Sequence, residues 1–441
     1  MSENKATVIQ NVRVVDPFCG VDSAGEEIWV QSGLIVKEPD AAADIERIDA
    51  SGLWLVPRLI DMHVHFREPG QTWKETIESG SQAAAHGGMT AVAVMPNTVP
   101  VTDTPELVQW VKERGQSVGL VRVLPIGAVT VGSQGRELAD LYRMLKQGAV
   151  AFSDDGIPVG SSGTMRAALS YARTLDVPVI NHAEDRMLAP GASVHEGRAA
   201  HRMGLPGVPE AAEASMVWRD VMLAGLTRGR LHVAHVSAIE SLSALVYARD
   251  HGYPVTAEAA PHHLILNDDA LMEWGYNPVT KVNPPLRPEA SRQALVQAVQ
   301  QGLITVLASD HAPHHADDKA RPYIDAPFGI SGVETILGVL FTALIQPGLM
   351  SPLQGLGLMS AGPDRVLRLG YPGLMPGTPA DFTLIDAERE WTVDPMRFYS
   401  QGKNTPLAGM RLRGQAVATM MGGRFTMREG EVLHAGISQI S

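Results

Sequence analysis

Eight short apolar runs, rich in Val, Ile, Leu and Ala, recur through the middle of this 441-residue chain, and amphipathic stretches long enough for helices separate most of them. Such a run is typical of a strand buried on both faces, as in a parallel sheet. Eight strands alternating with helices predict an α/β fold, a (β/α)8 TIM barrel. An open doubly wound sheet fits less well, because no glycine-rich phosphate loop begins the first helix. The runs cover residues 53–60, 90–95, 120–126, 149–152, 177–180, 231–234, 254–259 and 303–308.

The two ends of the chain have a different pattern. Residues 1–52 and the residues after about 372 contain short alternating runs separated by turn residues. This pattern is typical of small antiparallel β structure. The simplest arrangement joins both ends into one small β-sandwich-like subdomain, residues 1–57 plus 372–441. The barrel, residues 58–371, is then inserted between them.

Composition excludes several classes of partner. The formal net charge of −12 argues against nucleic acid or an anionic membrane surface, because both favour a basic protein. A single cysteine, Cys19, excludes an internal disulfide framework and fits a reducing compartment. We recognise no secretion signal at the start, and no apolar run approaches the ~18 residues that a membrane span needs. We therefore expect a soluble cytoplasmic protein.

Histidines and aspartates follow the predicted barrel strands where each strand ends. In this fold the catalytic groups lie at the C-terminal strand ends. His63 and His65, after the first strand, are two residues apart and therefore point to the same face of an extended chain. Imidazole and carboxylate without thiolate suit Zn²⁺ or a similar divalent ion, so the joint pattern predicts a metal centre. The later strands are followed by Asn97, Asp154, Asp155, His182, His232, His235, Asp310, His311 and His314.

The motifs around these residues resemble the successive signatures of the dihydroorotases, in particular of their longer bacterial class. The resemblance covers nearly the whole chain. One departure is Arg58, where the family usually has glycine. The resemblance therefore does not predict the conformation of the chain at this turn. The motifs are DMHVHFREPG at 61–70, VMPNT at 94–98, FSDDG at 152–156, NHAED at 181–185, AHVS at 234–237, PHHL at 261–264, KVNPPLR at 281–287, ASDHAPH at 308–314 and GTPADFTLID at 377–386.

The resemblance implies a zinc-dependent cyclic-amide hydrolase with one or two Zn²⁺ ions per chain. The implied reaction is the reversible cyclisation of N-carbamoyl-L-aspartate to L-dihydroorotate and water in de novo pyrimidine (UMP) biosynthesis. Metal-activated hydroxide would attack the cyclic amide, with Asp310 as general acid and base. The implied metal ligands are His63, His65 and Asp310 for one ion, His182 and His235 for a second, and Asp155 as the bridge.

The bridging residue separates branches of the wider superfamily. Many relatives of the dihydroorotases, including dihydropyrimidinases and allantoinases, bridge their metals with a carboxylated lysine after strand four. The nearest lysine here, Lys146, lies on the preceding predicted helix. Asp155 is therefore expected to bridge directly, and its neighbour Asp154 is expected to support the turn.

The substrate carries carboxylate groups, so its site must be locally cationic. Arg67, directly after the histidine pair, offers a guanidinium fork for one carboxylate. The resemblance implies that Asn97 and His314 assist Arg67 and that Asn283 contacts the ring amide.

The segment 311–329 after strand eight is long, charged and irregular in pattern. We expect it to form a loop that closes over the site, with Phe328 and Gly329 offering backbone contacts at its end. His232 is expected to be structural rather than a ligand.

Two other classes of function compete with this interpretation. Another cyclic-amide hydrolase, a dihydropyrimidinase or an allantoinase, is disfavoured by Arg67, Asn97 and the strand-four aspartate. A non-catalytic scaffold for aspartate transcarbamoylase is disfavoured because every expected ligand position is filled, although an active enzyme could still associate with that partner. A homodimer is what the resemblance suggests.

Overall fold

The computed structural model describes residues 5–433. The strands are β1 (Lys5–Asp16), β2 (Val21–Gln31), β3 (Leu34–Val36), β4 (Asp44–Asp49), β5 (Trp54–Pro57), β6 (Ile60–Val64), β7 (Ala91–Val94), β8 (Arg122–Gly127), β9 (Ala151–Ser153), β10 (Val179–Asn181), β11 (Val194–His195), β12 (Gly207–Val208), β13 (Leu231–Val233), β14 (Val255–Ala259), β15 (Val306–Leu307), β16 (Phe382–Thr392), β17 (Arg411–Met421), β18 (Arg424–Arg428) and β19 (Glu431–Val432). The helices are α1 (Ile77–His86), α2 (Pro105–Val118), α3 (Leu141–Gln147), α4 (Ser162–Leu175), α5 (Arg198–Met203), α6 (Glu210–Thr227), α7 (Ile239–Asp250), α8 (Pro261–Ile265), α9 (Asp269–Trp274), α10 (Glu289–Gln300), α11 (Ala316–Lys319), α12 (Ile336–Leu340), α13 (Pro352–Gly357) and α14 (Ala361–Leu367).

Eight parallel strands form the barrel, in the order β6-β7-β8-β9-β10-β13-β14-β15. A parallel bridge between Val64 and His311 closes the ring, and the amide of His65 donates to the carbonyl of His311 at 2.8 Å. These strands are almost wholly buried, as expected of a parallel sheet covered by helices. The predicted (β/α)8 fold is confirmed.

One end of the barrel is covered, which leaves the other for the site. The amide of Ile60, at the start of β6, donates to the carbonyl of Met359, just before α14. Val366 and Leu367 of α14 pack into the apolar cluster formed by side chains of the barrel strands. This part of the chain therefore lies at the N-terminal strand ends, and the C-terminal ends form the opposite rim.

The predicted first strand, 53–60, has the wrong bounds. That apolar run divides into β5, which belongs to the terminal sheet, and the first residue of β6. Arg58 lies between them with a φ of 44°, a left-handed conformation that favours glycine and turns the chain from one sheet to the other. The guanidinium of Arg58 lies over the ring of Tyr371, 4.9 Å from its centroid, so its side chain packs against that ring.

Strands from both ends of the chain form a single nine-stranded sheet, in the order β19-β18-β17-β16-β5-β1-β2-β3 with β4 paired to β1. The predicted small β unit is confirmed, but its pairing is mixed rather than purely antiparallel. β1 pairs antiparallel with β2 and parallel with β4 and β5. The parallel pairs arise because the chain crosses over after the β2–β3 hairpin and returns along the other edge of β1. The division into 1–57 plus 372–441 and 58–371 stays a prediction, and residues 1–4 and 434–441 lie outside the described residues.

Candidate metal centre and active site

Two groups of buried side chains at the C-terminal rim could each hold a metal ion. The first contains His63, His65 and Asp155, and the second contains Asp155, His182 and His235. Within each group the ligand atoms all lie within 4.8 Å of one another. The strand ends therefore bring together histidines and an aspartate that are far apart in the sequence, and Asp155 belongs to both groups.

The first group is compact and also faces Asp310. The Nε2 atoms of His63 and His65 lie 3.4 and 3.5 Å from the two oxygens of Asp155. The Oδ1 atom of Asp310 lies 3.6 Å from His63 Nε2 and 3.3 Å from His65 Nε2. Two imidazole nitrogens and two carboxylates thus surround one small volume.

Hydrogen bonds on the far side of each ring decide which nitrogen faces that volume. The Nδ1 of His63 lies 2.6 Å from Glu258 Oε1, and the Nδ1 of His65 lies 2.8 Å from Asn97 Oδ1. Because both partners are acceptors, Nδ1 carries the proton and Nε2 presents its lone pair to the carboxylates.

This arrangement fits a cation. Within the described residues, His63 Nε2 and Asp155 Oδ1 are buried and have no hydrogen-bond partner. Lone pairs that face one another in a buried site repel unless a positive charge lies between them. Nitrogen and oxygen donors without sulfur suit Zn²⁺ and related divalent ions, so the residues present fit the metal that the family implies.

The pKa values of two carboxyl groups in the cluster, Glu258 and Asp155, are strongly shifted. Burial raises the pKa of Glu258, but the neighbouring His63 and His232 outweigh it and hold that pKa at about 2. Burial likewise opposes ionisation of Asp155, but a proton on Nε2 of His63, whose place a bound cation would take, keeps that pKa well below the usual value. Both carboxylates are therefore ionised at neutral pH.

The second group is held by a different set of partners. His182 Nδ1 lies 3.0 Å from His235 Nε2, and each of these atoms is 3.8 Å from Asp155 Oδ1. On its other side, His182 Nε2 lies 3.3 Å from Glu184 Oε2. The amide of Asn283 donates to the same Glu184 oxygen at 3.0 Å. Asn283 thus contributes to the support of a candidate ligand as well as to the cavity wall.

A cavity of about 170 Å³ opens beside the two groups. Every residue that the sequence predicted for substrate binding lines it, together with Gly156, Arg186 and Ala312, which were not predicted. The predicted lining residues are Arg67, Asn97, Asn283, His314, Phe328 and Gly329.

Arg67 is a buried cation that has no ion-pair partner within residues 5–433. Its Nε donates to the carbonyl of Pro313 at 3.3 Å, and its Nη2 lies 3.5 Å from His314 Nε2. Burial lowers its pKa to about 10, so the guanidinium stays charged at neutral pH. No carboxylate among residues 5–433 forms an ion pair with it. A buried charge of this kind is costly unless an anion reaches it.

Phe328 and Gly329 are held by the protein itself. His314 Nε2 donates to the carbonyl of Phe328 at 2.7 Å, and the amide of Gly329 donates to the carbonyl of Lys281 at 2.9 Å. Gly329 has a φ of 119°, and a Cβ there would lie 2.6 Å from that of Ala312, so only glycine fits. The Phe328 carbonyl and the Gly329 amide are thus already engaged within the protein. Any contact of this backbone with the substrate must use hydrogen-bonding positions that these two bonds leave open.

The segment 311–329 is folded rather than irregular. It contains α11, and Lys319 Nζ donates to the carbonyls of Pro278 and Pro327. Lys281 Nζ donates in turn to the carbonyls of Tyr323 and Ile324. Two lysine side chains thus fasten the segment onto the wall of the cavity.

Comparison with known proteins agrees with this geometry. Residues 52–241 match the family model described as dihydro-orotase-like. The chain is 46% identical over 424 residues to a dihydroorotase of Pelotomaculum thermopropionicum, an alignment that covers 96% of this chain and 98% of that protein. It belongs to the dihydroorotase family. A dihydroorotase of Desulforapulum autotrophicum is 43% identical over 420 residues, 94% of this chain and 97% of that one.

Solved structures extend the relationship to the wider superfamily around the dihydroorotases. The L-hydantoinase (dihydropyrimidinase) of Arthrobacter aurescens superimposes with a TM-score of 0.86 at 25% identity, covering 97% of each chain. A D-hydantoinase (dihydropyrimidinase) from Thermus sp. has a TM-score of 0.83 at 22% identity over 97% of each chain and shares the fold. This member of the dihydroorotase family is thus a cyclic amidohydrolase on a (β/α)8 barrel.

Two residues that were not predicted as site residues, Glu258 and Glu184, also support the site. Glu258 was missed, although a glutamate inside the apolar run 254–259 was the available signal. Glu184, two residues after His182, was missed as well. Asp154 does not face the metal groups, because it accepts hydrogen bonds from the amides of Val129 and Thr130.

The structure also places two residues that the sequence analysis expected not to be metal ligands, Lys146 and His232. Lys146 is exposed on α3, as the bridging argument requires. His232 Nε2 contacts Glu258 Oε2 at 3.1 Å, so this structural histidine reaches the metal group through Glu258.

Replacing Glu258 with glutamine is expected to weaken metal binding by about ten- to a hundredfold. Glutamine keeps the size of the side chain, but its amide lacks the charge that orients His63 and its NH₂ group cannot accept from His232. Competition with a chromophoric chelator measures the zinc affinity. Glu113→Gln, an exposed change on α2, serves as the control, and equal affinities for the two variants would contradict this role.

Proposed function

We propose that the chain catalyses the reversible cyclisation of N-carbamoyl-L-aspartate to L-dihydroorotate and water, a step of de novo pyrimidine biosynthesis. One observation carries the proposal. A buried, unpaired guanidinium, that of Arg67, lines the same small cavity as two groups of histidine and aspartate ligands. A cation receptor beside a metal centre suits a cyclic amide that bears a carboxylate.

Zinc is the proposed metal, with one or two ions per chain. When bound, zinc would supply Lewis acidity that polarises the amide carbonyl and lowers the pKa of water. One ion would be held by His63, His65 and Asp310, and the other by His182 and His235. Asp155 would be a ligand of both ions. The orientation of the His63 and His65 lone pairs supports this assignment.

Asp310 is the proposed proton carrier. It is mostly buried, yet its side chain retains 11% exposure and lines the cavity, so it can contact both the metal group and a substrate. In hydrolysis its carboxylate would take a proton from the attacking water and give it to the departing ring nitrogen. Cyclisation would follow the same path backward, because both directions share one transition state.

Three side chains would bind the substrate carboxylate. Arg67 offers its guanidinium, and Asn97 can donate through Nδ2 because its Oδ1 is engaged with His65. Burial and the charge of Arg67 lower the pKa of His314 to about 2, so its ring is neutral without an anion nearby. A carboxylate next to Arg67 would offset that charge and favour a second proton on His314, at Nδ1, in addition to the one that Nε2 donates to Phe328.

Other residues that line the cavity would hold the ring of the substrate. Asn283 would contact the ring amide, and the backbone of Phe328 and Gly329 would border it, since all three residues line the cavity.

Hydrolysis of a neutral cyclic amide is the second candidate. The overlap with the Arthrobacter aurescens L-hydantoinase (dihydropyrimidinase) favours it. A dihydropyrimidine without a carboxylate, however, would leave Arg67 buried and unpaired. A purely scaffolding role has less support, because all the candidate ligands are present and converge.

A spectrophotometric comparison of L-dihydroorotate, dihydrouracil and allantoin tests the proposal. We expect turnover of L-dihydroorotate to exceed that of the other two by at least about a hundredfold. Chelation should abolish turnover, and added Zn²⁺ should restore it. A preference for dihydrouracil or allantoin, or full activity after the metal has been removed, would overturn the proposal.

We also propose a cytoplasmic homodimer that can associate with aspartate transcarbamoylase. The support is the family resemblance and the single cysteine. Among the described residues, no helix is long and apolar enough to cross a membrane. Light scattering of the purified chain, alone and mixed with that enzyme, would test both associations.

A further inference from the structure

A segment from the C-terminal part of the chain reaches the rim of the barrel. Residues 400–404, here called the clasp, lie in the connection between β16 and β17, two strands of the terminal sheet. The clasp contacts residues that follow the first and the eighth barrel strands. Arg67 and His314 follow the same two strands. It therefore links the terminal sheet to the wall of the cavity.

Asn404 makes the most direct of these contacts. Its Nδ2 donates to the carbonyl of Gly329 at 3.0 Å, and its Oδ1 accepts from the amide of His314 at 3.3 Å. Its own carbonyl accepts from the amide of Ser331 at 2.8 Å. Asn404 is only 7% exposed, while Gly329 and His314 both line the cavity. One amide side chain thus sets the distance between two pieces of the substrate wall.

Gly402 packs closely against Pro313, the residue whose carbonyl accepts a hydrogen bond from Arg67. A Cβ on Gly402 would lie 2.6 Å from the Cβ of Pro313 and 2.8 Å from Ser331 Oγ, so the chains approach more closely than a side chain allows. The hydroxyl of Ser331 also donates to the carbonyl of Gly402 at 2.8 Å. Since the Pro313 carbonyl accepts from Arg67 Nε, a shift of Pro313 would move the guanidinium.

The start of the clasp is anchored by two carboxylates. Glu75, which is wholly buried, accepts from the hydroxyl of Ser400 and from the amide of Gln401. Glu334 accepts from the amides of Tyr399 and Ser400 at 2.8 and 3.2 Å. Because its start is fixed in this way, the clasp can hold Asn404 and Gly402 in place against the cavity wall.

We infer that the clasp is a positioning element that shapes the subsite for the substrate carboxylate, with Asn404 as its principal contact. This inference rests on the proposed function. The clasp lies against Pro313, His314 and Gly329, but none of its described contacts is to the candidate metal ligands. Its loss should therefore weaken substrate binding and leave metal binding and the reacting groups intact.

Steady-state kinetics with L-dihydroorotate test the inference. Asn404→Ala is expected to raise KM about tenfold, the effect of losing hydrogen bonds at a buried site, while kcat changes less than about threefold. Asn404→Asp should raise KM further, because a carboxylate oxygen would face the Gly329 carbonyl and add negative charge near the substrate. Zinc content should equal that of the unmodified enzyme.

Asn267→Ala is the matched control. It also removes two side-chain hydrogen bonds, one to Glu289 and one from the amide of Asp269, at a site that does not line the cavity. If Asn404→Ala leaves KM unchanged, or if its main effect is a loss of kcat with KM no higher than that of this control, the inference is wrong. If Asn404→Ala does not fold, Gly402→Ala decides by the same split between KM and kcat.

The same assay separates the two levels of the argument. An unmodified enzyme that does not turn over L-dihydroorotate overturns the proposed function and the inference with it. An active enzyme whose Asn404 and Gly402 variants keep the normal KM overturns the inference alone.

Discussion

Asp310→Asn is expected to reduce turnover by at least about a thousandfold in both directions. Asparagine has nearly the shape of aspartate but cannot accept the proton from water or deliver it to the ring nitrogen. Its amide also brings no negative charge to the Nε2 atoms of His63 and His65, which lie within 3.6 Å of the native carboxylate. Assays from L-dihydroorotate and from N-carbamoyl-L-aspartate measure the two directions.

The control for this variant is Asp317→Asn, the same chemical change at an exposed position in the segment 311–329. It should retain normal activity. Metal analysis of Asp310→Asn distinguishes lost proton transfer from a lost ligand: a variant with full zinc content and no turnover isolates the proton role. Near-normal rates in either direction would remove Asp310 as the proton carrier.

Arg67→Met is expected to raise the KM for L-dihydroorotate by about a hundredfold or more, equivalent to about 3 kcal/mol of binding free energy. Methionine fills part of the space but removes the only cationic fork proposed for the substrate carboxylate. Arg67→Lys should recover part of the loss, since it restores the charge but not the two-pronged geometry. Zinc content should be unchanged, because Arg67 contacts Pro313 and His314 rather than a proposed ligand.

Arg321→Met offers the comparison, as Arg321 is mostly exposed and pairs with Asp318. We expect a normal KM from it. If Arg67→Met also shows a normal KM, the carboxylate role is wrong, and a neutral cyclic amide becomes the better candidate. That result would agree with the structural overlap with the hydantoinases.

The barrel and the members of its rim could be predicted because both depend on local pattern. Period-two spacing orients His63 and His65 to one face, and parallel strands bring all their C-terminal ends to one edge. The same rule brings Asp155, His182 and His235 to that edge, but the choice of Asp155 rather than Asp154 as a ligand came from the family resemblance. The first strand was misplaced for an equally local reason. Its apolar run continues through Arg58, and only the positive φ of that residue separates the two sheets.

The supporting residues could not be predicted in this way. Glu258 is 195 residues from His63, and Asn404 is 75 from Gly329 and 90 from His314. No periodicity relates positions so far apart, and a lone glutamate or asparagine has many ordinary uses. Their roles depend on which side chains the packed barrel and terminal sheet bring within hydrogen-bond distance.

The amino-acid order by itself determined the strand count, the kinds of donor atom and the rim at which they meet, because strand geometry repeats every two residues and parallel strands share a direction. Only the tertiary structure decided which imidazole nitrogen faces inward, that Arg67 is buried with no ion pair to any described residue, and that a connection between two strands of the terminal sheet braces the cavity. These features depend on distances between side chains remote in the chain, which packing alone determines.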